Sequence, residues 1–390
     1  MASWLARSVF GGAAAAIVAL ACSDLGDLSG GEDPPDAGED RKIASPDASE
    51  SDSDVTCEPG KTACGSLCSD VTNDAQNCGR CDHDCLGAKC EAGRCQPFTL
   101  VAGLNIPQGI ALDNTDVYFT VYGSGDVMRV AKTGGSPVTI TTDTTSPHGI
   151  ALDLDGTGAA KRIAWGERRG TSSQLLNCAL PGCTVVTKVP ATEDVRSVAS
   201  AGGIIYYTQS TTTVGSIRKI AYGSAIPTVI LEPEPGADAI FVRENFLLVA
   251  KKTKTGAVRR MTTGGGGAID LIPTLDNPSG VITDGTSVFA AVNGGSQIAK
   301  CPLLGCTGSS TFALATYPHE IVIDDTNVYW SNGLANGGSI AYCPIAGCPD
   351  DKPIILVPDQ KNPYGIAVDD KAVYYTTSSP SGALMKIAKP

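Results

Sequence analysis

The sequence predicts an all-β chain: a seven-bladed β-propeller over residues 97–390, preceded by a small disulfide-rich module (57–95) and a disordered acidic linker (22–56). Three observations lead there. A start signal, Pro-x-Gly-Ile/Val, recurs at Pro107, Pro147, Pro278, Pro318 (with Glu in place of Gly) and Pro363. Degenerate copies at Val195-Arg-Ser-Val and Ala237-Asp-Ala-Ile bring the total to seven, spaced by about 40 to 48 residues, the length of a four-stranded blade. Each copy repeats one grammar of short strands. The last copy stops after its third strand, at Leu384–Ala388, whereas Phe98-Thr-Leu-Val101 precedes the first copy with the character of a fourth. Pairing the two would close the ring and remove its open edge. A β-sandwich or a solenoid does not account for that match.

At the N-terminus, Arg7 is followed by an apolar run, Val9–Ala21, too short to span a bilayer and suited to the core of a secretory signal over residues 1–21. It ends in Ala19-Leu20-Ala21-Cys22. Ala19-x-Ala21 suits an ordinary signal peptidase, while Leu20-Ala21-Cys22 resembles the bacterial lipobox, which implies acylation of Cys22 and attachment to a membrane. Cysteine arithmetic agrees: of 15 cysteines, eight lie between Cys57 and Cys95 and six form three close pairs, leaving Cys22 over. Ser23 is not the Asp that marks inner-membrane retention, so the expected location is the outer membrane of a Gram-negative cell envelope.

From Ser23 to Thr56 the chain carries eleven acids against Arg41 and Lys42, about three-quarters of the formal charge of −12. Almost no large apolar residue interrupts it, so it cannot offset the entropy of ordering and reads as a flexible tether. The remainder is nearly neutral. Neither a basic face for nucleic acid nor a polybasic membrane patch is visible.

The module holds Cys57, Cys64, Cys68, Cys78, Cys81, Cys85, Cys90 and Cys95 within about forty residues, too few to enclose a core without cross-links. Four disulfides are expected, with their connectivity open. A zinc site on the ligand-like spacing Cys78-x-x-Cys81 is the alternative. The run Cys64-Gly-Ser-Leu-Cys68, Asn77-Cys78-Gly-Arg-Cys81 and Cys85 resembles the stigma-specific-protein-like modules of exported bacterial proteins, which implies an extracellular scaffold.

Within each propeller copy, an apolar strand ending in Asp (Asp113, Asp153, Asp284, Asp324, Asp369) leads by a turn to an aromatic strand such as Val117-Tyr-Phe-Thr120, Val328-Tyr-Trp-Ser331 or Val373-Tyr-Tyr-Thr376. An Asp before a tight turn is expected to cap that turn rather than bind calcium. The grammar, with Tyr329-Trp330-Ser331-Asn332 foremost, resembles the YWTD and NHL propeller families. That resemblance implies the fold over about three-quarters of the chain and leaves function open, since propellers host binders and enzymes alike. Three loops, Cys178–Cys183, Cys301–Cys306 and Cys343–Cys348, each enclose four residues with Pro or Gly where the third strand turns into the fourth, and are expected to staple blades two, five and six.

The residue after the Pro of each start signal should ring one mouth of the central channel: Gln108, His148, Arg196, Asp238, Ser279, His319 and Tyr364. All can hydrogen-bond, and two of the chain's three histidines stand there, expected to face each other across the channel. Neither a nucleophile elbow, a phosphate loop nor a His-Glu-x-x-His motif occurs. Gly264–Gly267 lacks the Lys-Ser/Thr of a phosphate loop and reads as a turn. The expected function is binding of a protein or glycan at the mouth, without a cofactor or a bound metal. The alternatives are an enzyme of the lyase or lactone-hydrolase type using the mouth histidines, and an envelope spacer. Resemblance to NHL-like lyases implies histidines with a divalent metal, but no matching acid can be assigned from sequence.

Overall fold

The computed structural model describes residues 55–142, 144–306, 308–349 and 352–390. Residues 1–21, read above as a secretory signal, together with Cys22 and most of the acidic segment, lie outside the described residues. Seven four-stranded antiparallel sheets follow one another as blades. Blade 1 consists of Pro107–Leu112, Asp116–Val121, Asp126–Ala131 and Val138–Thr141. Blades 2 to 6 begin at Pro147, Val195, Ala237, Pro278 and Pro318. Blade 7 takes Pro363–Val368, Ala372–Thr377 and Gly382–Ala388 from the C-terminus and its outer strand, Phe98–Leu104, from the N-terminal side. This closure strand runs three residues beyond the expected Val101, because Leu104 pairs with Gly382 and is buried against Leu384 and Tyr374.

The second strand of each blade is the core. Phe119, Trp165, Tyr207, Phe289, Tyr329, Trp330 and Tyr375 are fully buried there. A strand sandwiched between neighbouring blades must be apolar on both faces, so the chain concentrates its few aromatics in this layer.

The start signal folds as a β-bulge. Register shifts occur directly after Pro107, Pro147, Pro278, Pro318 and Pro363, and after Val195 and Ala237 in the degenerate copies. A bulge leaves backbone groups unpaired. A hydroxyl on the second strand takes them up. Thr120 accepts from Gly109 N (2.9 Å) and donates to the carbonyl of His148 in the next blade (2.8 Å). Thr208, Ser331 and Thr376 repeat this on the carbonyls of Asp238, Tyr364 and Gln108. The blades approach so closely at these points that a Cβ on Gly109 would come within 2.3 Å of the His148 carbonyl, and one on Gly365 within 2.0 Å of that of Gln108. Glycine is required there by space, not by torsion.

Four of the five first-strand aspartates, Asp113, Asp284, Asp324 and Asp369, cap their turns. Asp153 instead pairs with Arg162 and accepts from Gly203 N of the next blade (3.3 Å), and Asp155 caps that longer turn through Thr157 N (2.8 Å). Asp113 accepts from the amides of Thr115 and Asp116 and from the Tyr118 hydroxyl, and Asp324 and Asp369 do the same for Tyr329 and Tyr374. In the module, disulfides join Cys57–Cys68, Cys64–Cys81, Cys78–Cys90 and Cys85–Cys95. Cys78, Cys85 and Cys95 converge within 4.8 Å as parts of two neighbouring disulfides, which leaves no thiolate to hold zinc. Further disulfides close the hairpin loops Cys178–Cys183, Cys301–Cys306 and Cys343–Cys348.

Thr120→Val keeps the shape of a fully buried side chain and orphans both an amide and a carbonyl. It should destabilise the folded chain by about 1–3 kcal/mol in denaturant titration, whereas the same change at an exposed threonine such as Thr212 should cost well under 1 kcal/mol.

Candidate functional site

The bulges bring the variable residues to one end of the central channel, around a recess of about 200 Å³. Six of the seven ring positions line it: His148, Arg196, Asp238, Ser279, His319 and Tyr364. Gln108 does not, and its side-chain oxygen is buried without a partner. Ser279 spends its hydroxyl on the Pro318 carbonyl (2.8 Å), so it belongs to the wall.

The two histidines do not simply oppose each other across open space. Tyr364 reaches in from blade 7 and touches both. Its ring centroid lies 5.7 Å from His148, edge-on, and 4.7 Å from His319. The expectation of facing imidazoles overlooked the bulk of a tyrosine on the intervening blade.

His148 is nearly buried and both its nitrogens are engaged. Nδ1 faces the Arg196 carbonyl (3.1 Å) and Nε2 the Tyr364 hydroxyl (3.0 Å). A carbonyl only accepts, so Nδ1 carries the hydrogen. Burial, reinforced by the charge of Arg168, holds this imidazole well below its ordinary pKa. It is therefore neutral, and its Nε2 accepts from Tyr364. Burial, with the nearby charges of Asp238 and Glu320, raises the Tyr364 phenol, so the hydroxyl keeps its proton. His148 thus orients the tyrosine.

His319 makes no side-chain hydrogen bond among the described residues. Its ring lies over Gly333, where a Cβ would fall 1.9 Å from the imidazole Cδ2. Burial and the charge of Lys252 bring it down to about 4. At neutral pH it offers an uncharged imidazole to the recess.

Next to it stands Glu320, which sequence reasoning missed. It occupies the place held by Gly109, Gly149, Gly280 and Gly365 in other copies, and that departure was the available signal. The amide of Ile366 donates to its carboxylate (3.2 Å), yet burial outweighs this and pushes the group up to about 7. Adjacent residues are thereby shifted in opposite directions, the base made less basic and the acid less acidic, as in sites that move protons near neutrality.

The other wall is charged. Asp238 lies between Arg196 (3.8 Å) and Lys252 (3.5 Å), and Asp194 between Arg196 (3.3 Å) and Arg168 (3.7 Å). Three cations against two carboxylates leave this side positive. The recess therefore has an aromatic side carrying a carboxyl poised near neutrality and, opposite it, a cationic side.

Glu320→Gln isolates the unusual carboxyl. In the folded chain Glu320 holds its proton up to about pH 7, while an unfolded glutamate releases it near pH 4.5. Between those values the folded state binds the extra proton, so wild-type stability is lost as pH rises. The melting temperature of Glu320→Gln relative to wild type should therefore increase from pH 5 to pH 8. An unchanged difference across that range would show that the carboxyl titrates normally.

No protein-family model matches the sequence, and no curated protein matches it. Solved structures do share the fold. Virginiamycin B lyase from Staphylococcus aureus is 15% identical, covering 76% of this chain and 99% of its own, with a TM-score of 0.60. A streptogramin B lyase is 16% identical over 75% of this chain and 97% of its own, with a TM-score of 0.61. Hydrazine synthase from Kuenenia stuttgartiensis is 13% identical over 73% and 96%, with a TM-score of 0.58. At these identities the likeness is one of architecture: a seven-bladed propeller.

Proposed function

We propose that this chain is an exported lipoprotein, anchored through Cys22, whose propeller mouth binds a polar ligand, a glycan end or a loop of a partner protein, at the cell envelope. The observation that carries the binding reading is the recess itself. An unpaired imidazole at His319 and the carboxyl of Glu320 converge with Tyr364 in a space of about 200 Å³, opposite a positive wall. That volume accommodates one sugar ring or one side chain rather than an extended molecule. The anchoring reading rests on the lipobox-like Leu20-Ala21-Cys22 and on the pairing of all fourteen other cysteines.

A second reading is favoured by one observation, the opposed shifts of His319 and Glu320. It is a lyase-type enzyme in which one of them removes a proton from the ligand and the other returns one to the leaving atom. The fold neighbours support this only by architecture, among them a lyase variant made inactive by replacing a histidine and solved with quinupristin.

One experiment separates the two. Purified protein is screened by thermal shift against glycans and small polar compounds, quinupristin among them, and conversion is followed by mass spectrometry. Under the binding reading, a ligand raises the melting temperature of wild type, leaves that of His319→Ala unmoved and is recovered intact. Conversion by wild type and its loss in His319→Ala would replace that reading with the enzymatic one. For the anchor, Cys22→Ser should release the protein from the membrane fraction of expressing cells; continued membrane association would sink the lipid assignment.

A further inference from the structure

The outer side of the ring carries a second repeated contact. In four seams, a cation on the third strand of one blade donates to a backbone carbonyl just past the third strand of the next. Lys219 reaches Thr263 O (3.1 Å), Arg260 reaches Leu303 O (2.6 Å), Lys300 reaches Ile345 O (2.9 Å) and Lys386 reaches Lys132 O (2.9 Å). The donors occupy one register position, paired with Tyr206, Leu248, Phe289 and Tyr374 of their second strands. Each accepting carbonyl lies three residues beyond that same position in its own blade. Between blades 2 and 3 the position is Asn177, whose side-chain oxygen accepts from Gly223 N (3.0 Å). In blade 1 it is Arg129, turned to Asp116 of its own blade (2.8 Å).

Blade 6 has Tyr342 there, paired with Tyr329, and a phenol is too short and rigid to do what Lys300 does. Across this seam lies blade 7, in which the closure strand Phe98–Leu104 pairs with Gly382–Ala388. The carbonyl expected to receive the clamp is that of Lys389, three residues past Lys386. Lys389 is the structural counterpart of Lys132. Each places its ammonium on the first-strand Asp of the preceding blade, Lys389 on Asp324 (2.7 Å) and Lys132 on Asp369 (2.8 Å). Yet among the described residues none of blade 6 takes the Lys389 carbonyl. His83 of the cysteine module does, with Nε2 as the donor (2.8 Å). Its Nδ1 lies 2.6 Å from the carbonyl of Cys78, which also only accepts, so the ring donates to both carbonyls only as an imidazolium. The module also packs Leu86 on the closure-strand cluster of Phe98 and Leu100, and Cys95 on that of Tyr329 and Ile387.

We infer that the cysteine module is the outer clamp of the seam between blades 6 and 7, supplying through His83 the donor that Tyr342 does not, and that it works as part of ring closure rather than as an appendage. Its disulfides fix the His83 backbone: Cys78, Cys81 and Cys85 flank it, each bonded to a different partner strand or turn.

The test is hydrogen exchange by mass spectrometry on the full chain. In His83→Ala, amides of Phe98–Leu104 and Gly382–Ala388 should exchange about tenfold faster, while those of blades 3 and 4 stay at the wild-type rate. Adding Tyr342→Lys should restore slow exchange, because a lysine at that position reaches the Lys389 carbonyl as Lys300 reaches that of Ile345. Unchanged exchange in His83→Ala, an equal rise in all blades, or no rescue by Tyr342→Lys would overturn the inference. Should His83→Ala fail to fold, recovery of folded protein in the double variant supports the clamp, and its continued failure counts against it.

Discussion

The structure depends on one small contact, a second-strand hydroxyl set between two blades. A propeller needs its inner strands to converge on an axis, and convergence forces the first strand out of register with its neighbour. The bulge that results exposes an amide and a carbonyl in the most buried part of the ring, where an unpaired group is costly. Thr120, Thr208, Ser331 and Thr376 each satisfy one of each, and the two belong to different blades. The bond that repairs a local defect therefore also sets the spacing of neighbouring blades. Because the accepted carbonyl is that of the mouth residue itself, the same bond fixes where His148, Asp238, Tyr364 and Gln108 leave the backbone. Fold and site are coupled at this atom.

A ring built from repeats has one place where the repeat is broken. Here it is the seam beside blade 7, whose sheet is assembled from both ends of the chain. The closure strand covers the outer edge of the third strand of that blade by pairing with Gly382–Ala388. The turn that links third and fourth strands elsewhere has no counterpart here, because the fourth strand, Phe98–Leu104, follows the module and precedes blade 1 in the chain. The geometry leaves a gap of one turn, and the segment that must connect the linker to the closure strand is the one that passes there. A disulfide-fixed module suits that position because it stays folded without a core of its own.

The fold was legible because its signals are local or periodic. Val117-Tyr-Phe-Thr120 and its counterparts announce buried strands by composition, and the aspartate caps follow from bonds spanning three residues. Closure was legible by subtraction, from a missing strand and a spare one. The mouth was legible as a ring and illegible as a site. His148 and His319 looked equivalent in sequence, yet one is locked between Arg196 and Tyr364 and the other is free, a difference decided by residues 48 and 216 positions from His148. Glu320 was seen only as a substitution for Gly within a start signal and not as a site residue, when that departure was the informative feature. His83 gave no signal at all, since its partner is a backbone carbonyl 306 residues away.

The electrostatics of the recess follow from which groups the ring can solvate. On the side of blades 3 and 4, Arg196 pairs with Asp194 and Asp238, and Lys252 with Asp238. On the side of blades 6 and 7 no such partner is near enough to His319 or Glu320, and burial drives both toward their neutral forms. A ligand with one anionic and one uncharged, hydrogen-bonding end fits that asymmetry, anion toward Arg196 and Lys252, neutral end toward His319. The reverse orientation would leave an anion against Glu320 and the Tyr364 ring face, and would raise the carboxyl's pKa further. Under the binding proposal, charge would select the direction of entry before any shape does.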